Sequence, residues 1–206
     1  MKIIEFEGGQ GSEEWLSWRR SRITATDCSC ILGINPWKTA FDLWQEKLEI
    51  TLPEPFNERM ARGQKLEPEA RDLFIKETGI QVEPMVIEHH ELWWHASSLD
   101  GINSFKTKIV EIKCPSKDTH NLALEGGIKP YYEAQMMHQL FTSGAEICYY
   151  VSYNPDAKQK LVILEVMPNQ KYIKDMLEKE RYFYEVNLCT MKPPEGDWKL
   201  CHKENL

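Results

Sequence analysis

The chain has 206 residues, 42% of them hydrophobic and 11% aromatic; that is enough apolar material for one sizeable core and too little length to argue for more, so a single domain over residues 1–206 is expected. With 32 acidic against 25 basic residues the net charge is −7, which excludes holding a polyanion by overall charge and leaves only local contacts to nucleic acid. The longest apolar runs fall far short of the roughly 20 residues a membrane span needs, no apolar signal segment opens the chain, and six cysteines without a C-x-x-C pair read as reduced thiols, so a soluble cytoplasmic protein with no membrane partner is expected.

A short segment, Ile3 to Phe6, precedes Ser12, which sits where an N-cap would, followed by Glu13 and Glu14. These favour the positive end of a first helix. Along it Trp15, Trp18, Arg19 and Arg22 recur at the spacing of one helical face, so aromatic and guanidinium groups are expected to project together. Thr24 to Leu32 reads as a second short helix ended by Gly33, Asn35 and Pro36 mark a turn, and Thr39 caps a third helix through Phe41, Leu43, Trp44 and Leu48. Thr51 to Asn57, with Pro53 and Pro55, reads as a loop. From Glu58 to Thr78 the positions Met60, Gly63, Glu67, Ala70 and Phe74 share one face, and Pro68 must either kink that helix or open a new one.

The period then changes. Val82 to Ile87, Trp93 to Ser97, Ile109 to Cys114, Glu146 to Tyr153 and Leu161 to Val166 are β-rich segments bounded by turn residues, which implies a central mixed sheet. Pro115 to Pro130 is a polar stretch, Tyr131 to about Ser143 a helix, and Asn169 to about Thr190 the last long helix. The tail from Lys192 to Leu206 is polar, with two prolines.

The chemistry concentrates on Ser98-Leu99-Asp100-Gly101 and Val110-Glu111-Ile112-Lys113-Cys114. Strand residues two apart share a face, so Glu111 and Lys113 point one way while Val110 and Ile112 fill the core on the other. Magnesium takes oxygen ligands, commonly one or two carboxylates; Asp100 and Glu111 can supply that pair and the Ile112 carbonyl a third ligand. An ammonium at Lys113 can then orient the attacking water or lower its pKa, for hydrolysis of a phosphodiester. Glu67 is the candidate third carboxylate, able to hold a second metal directly or through water. Gln135, His138 and Gln139, at i, i+3 and i+4 on an otherwise apolar helix, need polar partners and can face a phosphate-lined cleft.

Each of these has a plainer reading. An E-x-K pair is often the solvent edge of a half-exposed sheet, Glu67 beside Pro68 can complement a helix N-terminus, and the Gln/His set can be satisfied interhelical bonds. Trp15 and Trp18 can be core. Cys28 and Cys30 make a poor zinc pair because no second pair accompanies them, so no zinc is expected.

Taken together, the order of motifs resembles the phage lambda-type exonucleases, or YqaJ-like viral recombinases, within the PD-(D/E)XK nucleases. The resemblance rests on Trp15 to Asp27, Arg62-Gly-Gln-Lys-Leu-Glu67-Pro-Glu-Ala-Arg71, Ser98-Leu-Asp100-Gly, Glu111-Ile-Lys-Cys-Pro115 and Tyr132-Glu-Ala-Gln135-Met-Met-His-Gln139. It implies an α/β PD-(D/E)XK core with a central mixed sheet flanked by helices. The implied activity is a Mg2+-dependent (Mn2+ possible) 5′-to-3′ exonuclease on double-stranded DNA ends, leaving a 3′ strand for a single-strand annealing recombinase. Carried over by residue, Asp100, Glu111 and the Ile112 carbonyl would be metal ligands, with Glu67 and Lys113 completing the site. Arg19, Thr26, Ser98 and Gln135 would bind the terminal 5′-phosphate, and Trp15 would be the wedge that splays the end. Leu99 stands where the superfamily name has proline, and Thr26 where serine is common but keeps the hydroxyl. The resemblance further implies a ring-shaped homotrimer, encoded by a phage or prophage and acting in the cytoplasm of a bacterial host. The rival readings are a PD-(D/E)XK endonuclease that cuts internally and a non-catalytic DNA-binding or recruiting protein.

Overall fold

The computed structural model describes residues 1–51 and 57–195. The expected loop at 51–57 and the tail from Lys192 therefore lie mostly outside the described residues. Among the described residues seven strands form one sheet, β1 (Lys2–Ile4), β2 (Ile23–Thr24), β3 (Glu83–Glu88), β4 (His95–Ile102), β5 (Lys108–Lys113), β6 (Ile147–Tyr153) and β7 (Leu161–Val166), in the order β1-β3-β4-β5-β6-β7 with β2 alongside β4. The sheet is mixed, as expected: β5–β6 and β2–β4 are parallel and the remaining pairs antiparallel. Among the described residues no helix is long and apolar enough to cross a membrane.

Alternation along β5 builds two cores at once. Val110 and Ile112 pack with Tyr149, Val151, Ala70 and Phe74 beneath α4 (Glu58–Thr78), while Ile109 packs with Leu99, Cys148, Tyr150, Ala134 and Met136 beneath α6 (Pro130–Ser143). Glu111 shares the second face by parity and is 1% exposed. A third cluster joins α2 (Ala25–Ile31) and α3 (Ala40–Lys47) to Trp94 and Phe183. The first helix, α1 (Glu13–Arg20), has no buried residue.

Several boundaries differ from the sequence reading. The second β segment, expected at Trp93 to Ser97, is β4 over His95–Ile102, so Asp100 lies within a strand. Gly101 lets that strand pass close to its neighbour, since a Cβ there would sit 2.9 Å from Val82 Cγ2. The polar stretch after Pro115 contains a helix, α5 (Lys117–Leu124), whose buried side is only His120 and Ala123, too little apolar period to detect. α4 runs through Pro68 as one 21-residue helix. Pro68 is exposed, on the side away from the sheet. The last helix, α7 (Gln170–Tyr182), continues as a π-helical segment over Phe183–Leu188.

Candidate active site

The β4–β5 ladder pairs Gly101 with Val110 and Ile102 with Ile109, so Asp100 and Glu111 are the next residues along the two strands, facing one another where the pairing ends. Asp100 Oδ2 accepts the Ile112 amide at 2.7 Å. The carbonyl of a strand residue projects to the same edge as its amide, which turns the Ile112 oxygen toward Asp100. Above this edge Arg71 of α4 donates from Nε to the Asp100 carbonyl at 2.7 Å and pairs with Glu67. Glu67, Asp100, Glu111 and Lys113 thus come together from α4, β4 and β5. Arg71 ends the motif that begins at Arg62 but was given no role from the sequence; its place four residues after Glu67 is the signal that could have supplied one.

Helix α6 closes the cluster from the other side. Gln135 Nε2 donates to Glu111 Oε1 at 2.6 Å and Gln139 Nε2 to Glu111 Oε2 at 2.5 Å, and Lys113 pairs with Glu111 while lying 5.0 Å from the Tyr132 ring. Burial, and after it the Glu111 carboxylate, push Asp100 well above the usual carboxylate range despite Lys113. Burial raises Glu67 too, against the pull of Arg71. For Lys113 burial favours the neutral amine, but Glu111 and Asp100 outweigh it and raise its pKa. The residues fit a hard divalent cation. Their donors are all oxygens, Gln139 Oε1 is buried with no hydrogen-bond partner, and three carboxylates meet only two cationic side chains.

His138 departs from the sequence reading. Expected to share a phosphate-lined cleft with Gln135 and Gln139, it turns instead toward α7 and β4, with Nδ1 2.8 Å from Glu180 Oε1 and Nε2 2.9 Å from the Ala96 carbonyl. Positions i+3 and i+4 of a helix diverge by about one residue's rotation, and here that rotation separates the two networks. Cys28, His138 and Glu180 place potential ligand atoms within 4.8 Å of one another, but both His138 nitrogens are already engaged.

Of the four residues expected around a terminal phosphate, the structure brings Arg19 and Thr26 into contact. Arg19 lies 5.1 Å from the Trp15 ring and donates to Thr26 and, at 3.4 Å, to Thr24 Oγ1. Behind it Lys47 donates to the Arg19 and Arg22 carbonyls at 3.0 and 2.7 Å and pairs with buried Asp27 at 2.7 Å. Nothing in the sequence links Lys47 to Asp27. Ser98 is half-buried on β4, two residues before Asp100, and no bond ties it to Arg19 among the described residues. The four residues expected on one face of α1 form two i, i+4 pairs, Arg19 over Trp15 and Arg22 over Trp18, and the second pair also bonds Glu88, at 2.8 and 2.9 Å.

A family model, the YqaJ-like viral recombinase domain, matches residues 14–146, well over half of the chain. The uncharacterised protein YqaJ of Bacillus subtilis (strain 168) is 30% identical over 150 residues, and an uncharacterised protein of Acanthamoeba polyphaga mimivirus is 30% identical over 161. Those alignments cover 70% and 71% of this chain but 46% and 29% of the relatives, so the chain spans less than half their length. Among solved structures, the alkaline exonuclease LHK-Exo from Laribacter hongkongensis, in complex with dAMP, superposes with a TM-score of 0.75 at 28% identity, covering 88% of this chain and 96% of that one.

Proposed function

The chain belongs to the YqaJ-like viral recombinase family, and on that premise we propose that it is an exonuclease that hydrolyses linear double-stranded DNA from the 5′ end and leaves a 3′ single strand. One observation carries the reading: Asp100, Glu111, Lys113 and Glu67 converge at the open end of the β4–β5 ladder, on a fold shared with an alkaline exonuclease. That relative is described with dAMP bound, and a deoxynucleoside monophosphate is what exonucleolytic hydrolysis of DNA releases.

Asp100, Glu111 and the Ile112 carbonyl would hold Mg2+ or Mn2+, with Glu67 beside them; the ion supplies Lewis acidity at the scissile phosphate. Gln135 and Gln139 fix the Glu111 carboxylate by both oxygens. Lys113, kept charged by Glu111 and Asp100, orients the attacking water and offsets the negative charge that grows on phosphorus. Arg19 and Thr26, with Ser98 and Gln135 nearer the cluster, would present donors to a terminal 5′-phosphate, and Trp15 beside the guanidinium would be the wedge by family resemblance. An annealing recombinase as partner, a trimeric ring and action in the cytoplasm of a bacterial host complete the proposal by family resemblance alone.

Strand-specific end-labelled linear duplex, with and without 5′-phosphate, beside a closed circular duplex, tests it in one assay with magnesium. Release of mononucleotides from 5′ ends, faster with the phosphate, is expected, with the circle intact. Cutting of the circle would make the protein an endonuclease, and no hydrolysis of any substrate would remove the nuclease reading. Arg19→Ala should be slow on both linear substrates with little discrimination between them; undiminished preference would place the phosphate pocket elsewhere.

A further inference from the structure

We propose that the cleft between α5, the β6–β7 turn and the first turns of α4 is a track for the phosphodiester backbone of a nucleic-acid strand, leading to or from the Asp100–Glu111–Lys113 cluster. The inference rests on the nuclease reading and adds a surface that the cluster and the Arg19 pocket do not include.

The cleft encloses about 1140 Å³ and is lined by Arg62, Lys117, Lys158, Asn121 and Gln159 among others. That is larger than the roughly 300–1,000 Å³ usual for a small-molecule pocket, and it suits a polymer better than a metabolite. In a chain with net charge −7, three cations from three separate elements meet here. Asp156 is the lining carboxylate, 3.6 Å from Arg62. Lys117 and Lys158 are exposed and have no carboxylate within ion-pair distance among the described residues. The rest of the polar lining is amide and hydroxyl, groups that donate to phosphate oxygens, and no aromatic ring among the described residues lines the cleft. Such a surface reads backbone charge and has no platform on which bases could stack.

Two features make the cleft a built part of the site. Arg62 donates to the carbonyls of Cys114 and Pro115, at 3.1 and 3.3 Å, so its wall begins one residue after Lys113. Its floor is pinned by fully buried His120, whose ring nitrogens lie 2.8 Å from Ser152 Oγ and 2.8 Å from the Gln159 carbonyl, locking α5 to the β6–β7 turn. The lysines therefore project from a rigid base, and only their side chains, not the backbone, must be ordered when phosphates arrive.

The test compares Lys117→Gln/Lys158→Gln with Lys171→Gln/Lys179→Gln, which removes the same charge from the exposed side of α7, and with wild type. Binding of fluorescent single-stranded and duplex oligonucleotides is followed by anisotropy across salt concentrations in EDTA, where hydrolysis is halted. Each lost phosphate contact flattens the slope of log K against log salt by about 0.7–0.9. The cleft variant should therefore lose about 1.4–1.8 from the slope and bind on the order of 10- to 100-fold more weakly at 0.1 M salt, with the control variant close to wild type. The arm that suffers more, single strand or duplex, identifies which form occupies the track. Equal slopes for cleft and control variants on both arms would overturn the proposal while leaving the nuclease reading intact, whereas a wild type that neither cleaves nor binds DNA would take both down.

Discussion

Glu111 and Glu180 are 1% and 0% exposed, and each has both carboxylate oxygens bonded by side chains, in part from the same helix. Around Glu180 the bonds come from His95 Nε2 at 3.0 Å and His138 Nδ1 at 2.8 Å. The second His138 nitrogen meets the Ala96 carbonyl at 2.9 Å, so every polar atom of this pair has a partner inside the protein. Around Glu111 the bonds come from the amides of Gln135 and Gln139, which solvate a charge without cancelling it, and from Lys113. Asp100 and Glu67 bring two further carboxyl groups to that same cluster, and burial raises both pKa values because the site by itself disfavours more negative charge. One buried carboxylate is thus complete within the protein, whereas the other, under the proposed function, would be completed by a cation and a phosphate. Burying an acid does not by itself mark a site; the charge left uncompensated by its partners does.

The largest expected effect breaks the incomplete network. Asp100→Ala and Glu111→Ala should each abolish magnesium-dependent hydrolysis of duplex DNA while circular dichroism stays native, because each removes an oxygen donor and no apolar contact. Near wild-type turnover in either would dissociate the cluster from the chemistry. Next, Lys113→Ala should lower the rate on the order of 10²- to 10⁴-fold with divalent-ion binding retained by calorimetry; a wild-type rate would leave the lysine a mere ion-pair partner.

The complete network should respond in the opposite currency. Glu180→Gln should cost about 3–5 kcal/mol of stability, the range for breaking one member of a buried ionic set, while the rate per folded molecule is unchanged at temperatures well below its melting point. Urea unfolding read beside single-turnover hydrolysis separates the two, and a rate loss without destabilisation would join Glu180 to the active site.

The smallest effect is a pH dependence. Burial and neighbouring His138 hold His95 down at about 4, against 6.5 for a free histidine. Between those values the unfolded chain binds a proton that the folded one refuses, so stability is fully present above pH 6.5 and falls as the pH drops toward 4, by about 2–3 kcal/mol. Glu180, held low by His138 and His95 against the effect of burial, adds a loss of the same sign only below its free value of 4.5. In His95→Gln the slope of unfolding free energy between pH 6 and 4.5 should shrink by up to one proton. An unchanged slope would mean that His95 is protonated in the fold.

The sequence by itself determined the parts that depend on local period and covalent neighbours. Alternation in β5 put Glu111 and Lys113 on one face, capping residues marked α1 and α3, and helical spacing put Gln135 and Gln139 one turn apart, where they indeed reach the same carboxylate. Three-dimensional assembly decided the rest. His138 sits between those two glutamines in any sequence reading, and only the docking of α7 supplies the Glu180 that draws it away. Asp27 and Lys47 are twenty residues apart with no pattern joining them, yet they brace the backbone behind Arg19. The cleft of Lys117 and Lys158 exists because β6 and β7 turn back beside α5. Period fixes which way a side chain leaves its own element; which charge it meets there depends on elements packed from distant parts of the chain, and no local rule carries that information.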